Sequence, residues 1–127
     1  MPSFPQSAAA LAGLGATQGA ATTIAAGGTA TGVTPARAAG TYTQGVLLSV
    51  ANLGTTLSAG PVVEWSLSAD GTTFYAVQTF TIPTTAAAVN SYPLEIPDWA
   101  AKGQVKITNP AGAAISAWAQ CGAAGAT

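Results

Sequence analysis

From Tyr42 to Cys121 the sequence alternates large apolar side chains with small or polar ones, in short runs broken by Gly, Pro and Asn. A period of two places alternate residues on opposite faces of an extended chain, so each run reads as a strand with one face for a core. In "TQGVLLSVANL" that face holds Val46, Leu48 and Val50; in "PVVEWSLS" it holds Val63, Trp65 and Leu67. "TTFYAVQTFTI", "NSYPLEI", "GQVKIT" and "AAISAWAQC" extend the series, and "NLGTTLSAGP", "IPTTAAAVN" and "TNPAGA" punctuate it. The expected fold is all-β, an antiparallel β-sandwich of jelly-roll or Ig-like type with about six to eight short strands.

The first 40 residues read differently. They are nearly all Ala, Gly and Thr, with few large side chains. Ser7 is placed to cap two turns of helix through Leu14, which Gly13 and Gly15 would end. Small residues let a backbone lie flat on another surface. Residues 1–40 are therefore expected to be either a flexible tail or, as the preferred reading, an extended arm that orders on a neighbouring subunit, with Phe4, Leu11 and Leu14 as its contacts. Within it, "TTIAAGGTATGV" can supply one or two short edge strands. Residues 41–127 would be the sandwich proper.

At the centre of the chain, "SADG" (Ser68 to Gly71) suits a type I turn followed by a left-handed Gly71. Loop length there sets register, and a one-residue slip exchanges the faces. A four-residue loop would pair Trp65 with Phe74 and align Phe74, Ala76, Phe80 and Ile82 with the core, leaving Tyr75 and Val77 outward. With Val105, Ile107 and Ile115 this makes a thin core that association would support.

Charge is scarce: 6% of residues, with no histidine and a formal net charge of -1. No basic surface exists to neutralise phosphates or hold an anionic membrane, so neither nucleic acid nor a membrane is an expected partner. General acid–base catalysis draws on histidine or a tuned carboxylate pair, and serine nucleophiles on an activating base. Glu64, Asp70, Glu95 and Asp98 are scattered, and Pro93 and Pro97 hold the Glu95–Asp98 segment extended. Two solvated loop carboxylates are expected there, the alternative being a weak calcium site. The chain reads as non-enzymatic, without cofactor or metal. Cys121 is the sole cysteine and reads as a small buried apolar residue. The start lacks a signal peptide's basic region and apolar run, which implies synthesis in the cytoplasm.

Two tryptophans stand outside the alternation. On the last strand Ile115, Ala117, Ala119 and Cys121 share one face, so Trp118 belongs to the other. Beside Tyr75 or Val77 it would form an apolar lateral patch of the kind that meets a partner; the chain's own arm is the other candidate cover. Trp99, in "EIPDWAAKG", is expected to plug one end of the sandwich, with a sugar-stacking platform as the sharper alternative.

Two stretches, "VVEWSLSADGTTFYAV" and "QVKITNPAGAAISAWAQ", resemble paired motifs of small β-sandwich proteins encoded among the structural genes of tailed bacteriophages. The shared elements are a strand, an S-x-D-G turn, an aromatic, and a late V-x-I-T-N before a small-residue strand. The resemblance implies a virion component made in the host cytoplasm: a capsid decoration (cement) or head accessory protein, or a tail or fibre-base accessory subunit. It implies self-association, a trimer being the expected form, and contact with other virion proteins such as the major capsid protein. It brings no catalytic residues. A glycan-binding sandwich module is the alternative from a different class.

Overall fold

The computed structural model describes residues 6–35, 41–52, 57–85, 88–110 and 112–125. Their strands are β1 (Gln6–Ala10), β2 (Thr22–Ile24), β3 (Thr29–Val33), β4 (Thr41–Asn52), β5 (Val62–Ser68), β6 (Tyr75–Thr81), β7 (Val89–Ile96), β8 (Lys102–Thr108) and β9 (Ile115–Gly125). They make two antiparallel sheets. The first runs β1-β9-β4-β7, with β2 also paired to β9; the second runs β3-β8-β5-β6. The protein is an antiparallel β-sandwich, as the alternation requires.

β4 and β9 form the spine of the first sheet, in register from Thr43↔Ala124 to Asn52↔Ile115. Val46, Leu48 and Val50 face the core beside Ile115, Ala117, Ala119 and Cys121. Opposite them, the second sheet contributes Val63, Trp65, Leu67, Val105 and Ile107. The Trp65 ring lies across its neighbour β8 at Gly103, where any Cβ would collide with the indole. An aromatic as large as Trp65 packs inward here because β8 presents a bare backbone beneath it.

The N-terminal segment is part of this sandwich, which corrects the expectation of an arm laid on a neighbour and of a boundary near residue 40. β1 and β2 sit end to end along β9, and β3 pairs with β8 through Gly32↔Val105. No helix begins at Ser7; a single 3-10 turn, Gln18–Ala20, lies beyond β1. Leu11, Leu14 and Ile24 are buried in the core, so Leu11 and Leu14 contact their own chain rather than a partner. Glycines permit the approach. A side chain at Gly32 would run into Leu14, one at Gly13 (φ 98°) into the Thr31 carbonyl, and one at Gly15 into the Ala20 carbonyl. Small residues do let this backbone lie flat on a surface, and the surface is its own.

Two polar clasps hold the segment down. Buried Asn109 donates its amide Nδ2–H to the carbonyls of Ile24 (3.2 Å), Ala25 (3.3 Å) and Ala113 (2.8 Å). Its backbone exchanges bonds with Gly27 and Gly28. Thr34 donates its N–H to the Gly103 carbonyl, and its Oγ1 accepts from the Gly103 N–H, both at 3.0 Å. Each clasp satisfies backbone groups that burial would otherwise leave unpaired.

The β5–β6 hairpin also differs from its expected register. Leu67 pairs with Tyr75, Trp65 pairs with Gln78, and a bulge intervenes between Trp65 and Ser66. The loop between the strands is thus longer than the four residues read from the sequence. Phe74 precedes the strand and is half-buried, Ala76 is exposed, and Phe80 leans on the core from its margin, its ring centre 4.7 Å from that of Tyr92 of β7 and tilted 45° to it.

Candidate functional site

The long β5–β6 loop is built on Asp70. Its Oδ1 accepts from the Ser68 hydroxyl (2.9 Å) and from the backbone N–H groups of Thr72 (2.8 Å) and Thr73 (2.9 Å). Ser68 Oγ in turn accepts from the Gly71 N–H at 2.9 Å, and Gly71 takes a positive φ of 84°. An Asp side chain closing its own turn is the reason such a loop holds one shape. The bonds from Thr73, Thr72 and Ser68 favour the ionised form and lower the carboxyl pKa from 3.8 to about 2. Asp70 Oδ2 accepts no hydrogen bond from another described residue.

A second loop meets this one. After β7 the chain turns through Pro97–Ala100, closed by an Ala100 N–H to Pro97 carbonyl bond of 3.0 Å. The following residue, Ala101, donates to the Ser68 carbonyl at 2.8 Å, which ties the two loops together. Ala100 is buried at this end of the sandwich, while Trp99 is 62% exposed. The expectation that Trp99 plugs the end is therefore corrected: Ala100 fills that place and the turn throws Trp99 outward.

Between the loops lies an open groove of about 280 Å³ lined by Leu67, Asp70, Thr73, Tyr75, Val77 and Trp99. Tyr75 is 71% and Val77 55% exposed, so with Trp99 this one end carries three of the large exposed apolar side chains. Asp70 is the charged residue of the lining. The site is thus a pair of uncovered aromatic rings beside a carboxylate fixed in its ionised form.

Trp118 is elsewhere. It sits on the outer face of the first sheet, paired across to Ser49, half-buried, with Gly15 bridged to its backbone. Trp118 therefore does not join Tyr75 and Val77, which belong to β6 in the second sheet. Its face carries a shallower depression of about 370 Å³, lined in part by Leu47, Pro93, Glu95 and Gln120. Phe4 lies outside the described residues. Glu95 and Asp98 are both exposed, and among the described residues no group of three potential ligands could hold a metal ion. Cys121 is buried, its Sγ accepting from the Gln44 amide at 3.2 Å.

Sequence reasoning grouped Tyr75 and Val77 with Trp118, took Trp99 apart from them, and missed that one groove unites Tyr75, Val77 and Trp99 with Asp70. The available signal was the S-x-D-G turn itself: a carboxylate that builds a loop also stands at its surface.

No family model and no curated protein matches the chain. Among solved structures it is similar to the K1 cleaved adhesin domain of Lys-gingipain from Porphyromonas gingivalis, with a TM-score of 0.63 and 11% identity over 91% of this chain and 82% of that one. The K2 domain of the same protein gives 0.58 and 13% identity, over 93% and 82% of the two chains. The enzymatically active domain of the bacteriophage CBA120 tailspike protein 4 gives 0.53 and 9% identity, over 98% of this chain and 18% of that one. What these neighbours share with the protein is the β-sandwich fold.

Proposed function

We propose that this chain is a non-enzymatic recognition module of a tailed-bacteriophage particle, an accessory subunit that works by surface contact at the Trp99–Tyr75–Val77 end. The observation that carries the reading is that pair of aromatics, held out of the core by two mutually bonded loops on a rigid sandwich. Exposed apolar patches on a well-packed domain mark binding surfaces more often than accidents of folding. The phage-gene resemblance of the hairpin and of the β8–β9 stretch supports the particle assignment. Sandwiches of this shape in an adhesin and in a tailspike agree better with a tail or fibre-base position than with capsid decoration. Self-association, as a trimer or another closed ring, would multiply a weak contact into a firm one.

Immunogold electron microscopy of purified particles, with antibody raised against the full chain, tests the assignment. Gold at the tail or its fibres is expected. Gold spread over the capsid would replace the tail position with decoration, and particles free of label would end the reading.

A further inference from the structure

We infer that the groove between Trp99 and Tyr75 is a binding site for a neutral glycan, with a sugar ring laid against the exposed aromatic faces and its hydroxyls donating to Asp70. The inference rests on the recognition reading above and names the ligand class of that site.

Three features of the groove carry it. A pyranose has an apolar face of C–H groups and a rim of hydroxyls, so its receptor needs a flat apolar ledge beside hydrogen-bonding groups. Tyr75 and Trp99 supply the ledge, with Leu67 and Val77 completing the apolar lining. Asp70 supplies the acceptor: its Oδ1 is consumed by the loop, whereas Oδ2 takes no bond from another described residue. Thr73, also in the lining, brings a hydroxyl that can both donate and accept.

Charge then selects among sugars. An ionised carboxylate accepts hydrogen bonds and cannot donate them. It suits hydroxyl donors and opposes the carboxylate of a sugar acid. Preorganisation also favours the site. The Ser68–Asp70–Thr73 bonds and the Ala101–Ser68 bond are present without ligand, so binding need not order either loop. An aromatic pair beside a carboxylate can also hold an organic cation, but such cages wrap the cation, and these two rings stand largely open to solvent.

The test is titration of the full chain with neutral tetrasaccharides of glucose, mannose and galactose at millimolar concentration. A uronic-acid tetrasaccharide and tetramethylammonium chloride serve as comparators. The readout is the indole N–H resonances, since Trp65 is buried, Trp118 half-buried and Trp99 exposed, together with the backbone amides of Thr73 and Tyr75, which also report on the variant that lacks Trp99. A neutral sugar should move the Trp99 signal and leave Trp65 still. Trp99→Ala should weaken binding about tenfold or more. Leu47→Ala, on the outer face of the other sheet, should leave it unchanged, and both variants should keep wild-type circular dichroism. Asp70→Asn, which can still close the turn through Oδ1, should weaken neutral-sugar binding and improve that of the uronic acid. No shift with any neutral sugar, or a Trp99 shift with tetramethylammonium alone, would overturn the inference. Labelled particles with no sugar binding would leave the module reading standing without its glycan; sugar binding by a chain absent from particles would do the reverse.

Discussion

Leu14 and Trp99 come from regions that behave in opposite ways. Leu14 lies in a segment made almost wholly of Ala, Gly and Thr, yet it is 5% exposed and packs over Gly32. Trp99 is among the largest apolar side chains of the protein, yet most of its surface meets solvent. Hydrophobic character alone does not bury a residue; a second layer must be there to receive it. The stretch from Leu11 to Gly15 bridges Val33 of β3 and Trp118 of β9 and supplies such a layer, and its glycines let it come close enough. At the other end β6 is an edge strand, its Tyr75 and Val77 lie beside a loop rather than under a sheet, and nothing among the described residues covers them.

The broadest break of this contrast is deletion of residues 1–40. If that segment is structural, its loss strips β1 and β2 from β9 and β3 from β8, and removes Leu11, Leu14 and Ile24 from the core. The truncated chain should show no cooperative thermal transition and poor amide dispersion. A chain that still melts as one unit would restore the segment to an arm.

Next in size is Leu14→Ala, expected to cost about 2–5 kcal/mol in urea unfolding, because Gly32 beneath it cannot fill the space left. A cost below about 0.5 kcal/mol, the scale of an ordinary surface substitution, would mean the segment is only loosely seated.

A smaller effect comes from pH. The folded-state carboxyl of Asp70 is depressed to about 2, so between that value and 3.8 the unfolded chain binds more of this proton. Stability from this group is full above the unfolded value and is lost as pH falls through the window. Melting temperatures from pH 6 down to pH 2 should therefore fall less steeply in Asp70→Asn than in the wild type. The group is solvent-exposed, so the difference is a modest one. Identical slopes would show that the turn does not depend on the charge.

The smallest expected effect is that of Trp99→Ala on folding, within about 0.5 kcal/mol, since the ring is mostly in solvent already. A large loss would return Trp99 to the role of plug and remove the reason to read its end as a contact surface.

Much of the fold was legible because the pleat is a local property. Val46, Leu48, Val50, Val63, Trp65, Leu67, Ile82, Val105, Ile107 and Ile115 all face inward as their spacing requires. Ala76 does not, because the bulge beside Trp65 shifts the register of β6 by a residue that no local pattern announces, and Phe74 falls in the loop before that strand. Leu94 and Ile96 join the core from "NSYPLEI", read from the sequence as a strand but with no core residue assigned to it; as the outer strand of its sheet, β7 tolerates the missing N–H of Pro93.

By itself, then, the sequence determined that the chain would be an antiparallel sandwich with a left-handed glycine after Asp70 and few groups able to do chemistry. These follow from side-chain period, turn stereochemistry and the inventory of ionisable residues, each readable over a handful of neighbours. Only the tertiary structure decided that the Ala/Gly-rich leader belongs inside, that Trp118 and Tyr75 lie in different sheets, and that Trp99, Tyr75 and Asp70 share a groove. Those outcomes depend on which strands become edges and which loops meet, and such pairings join residues far apart along the chain.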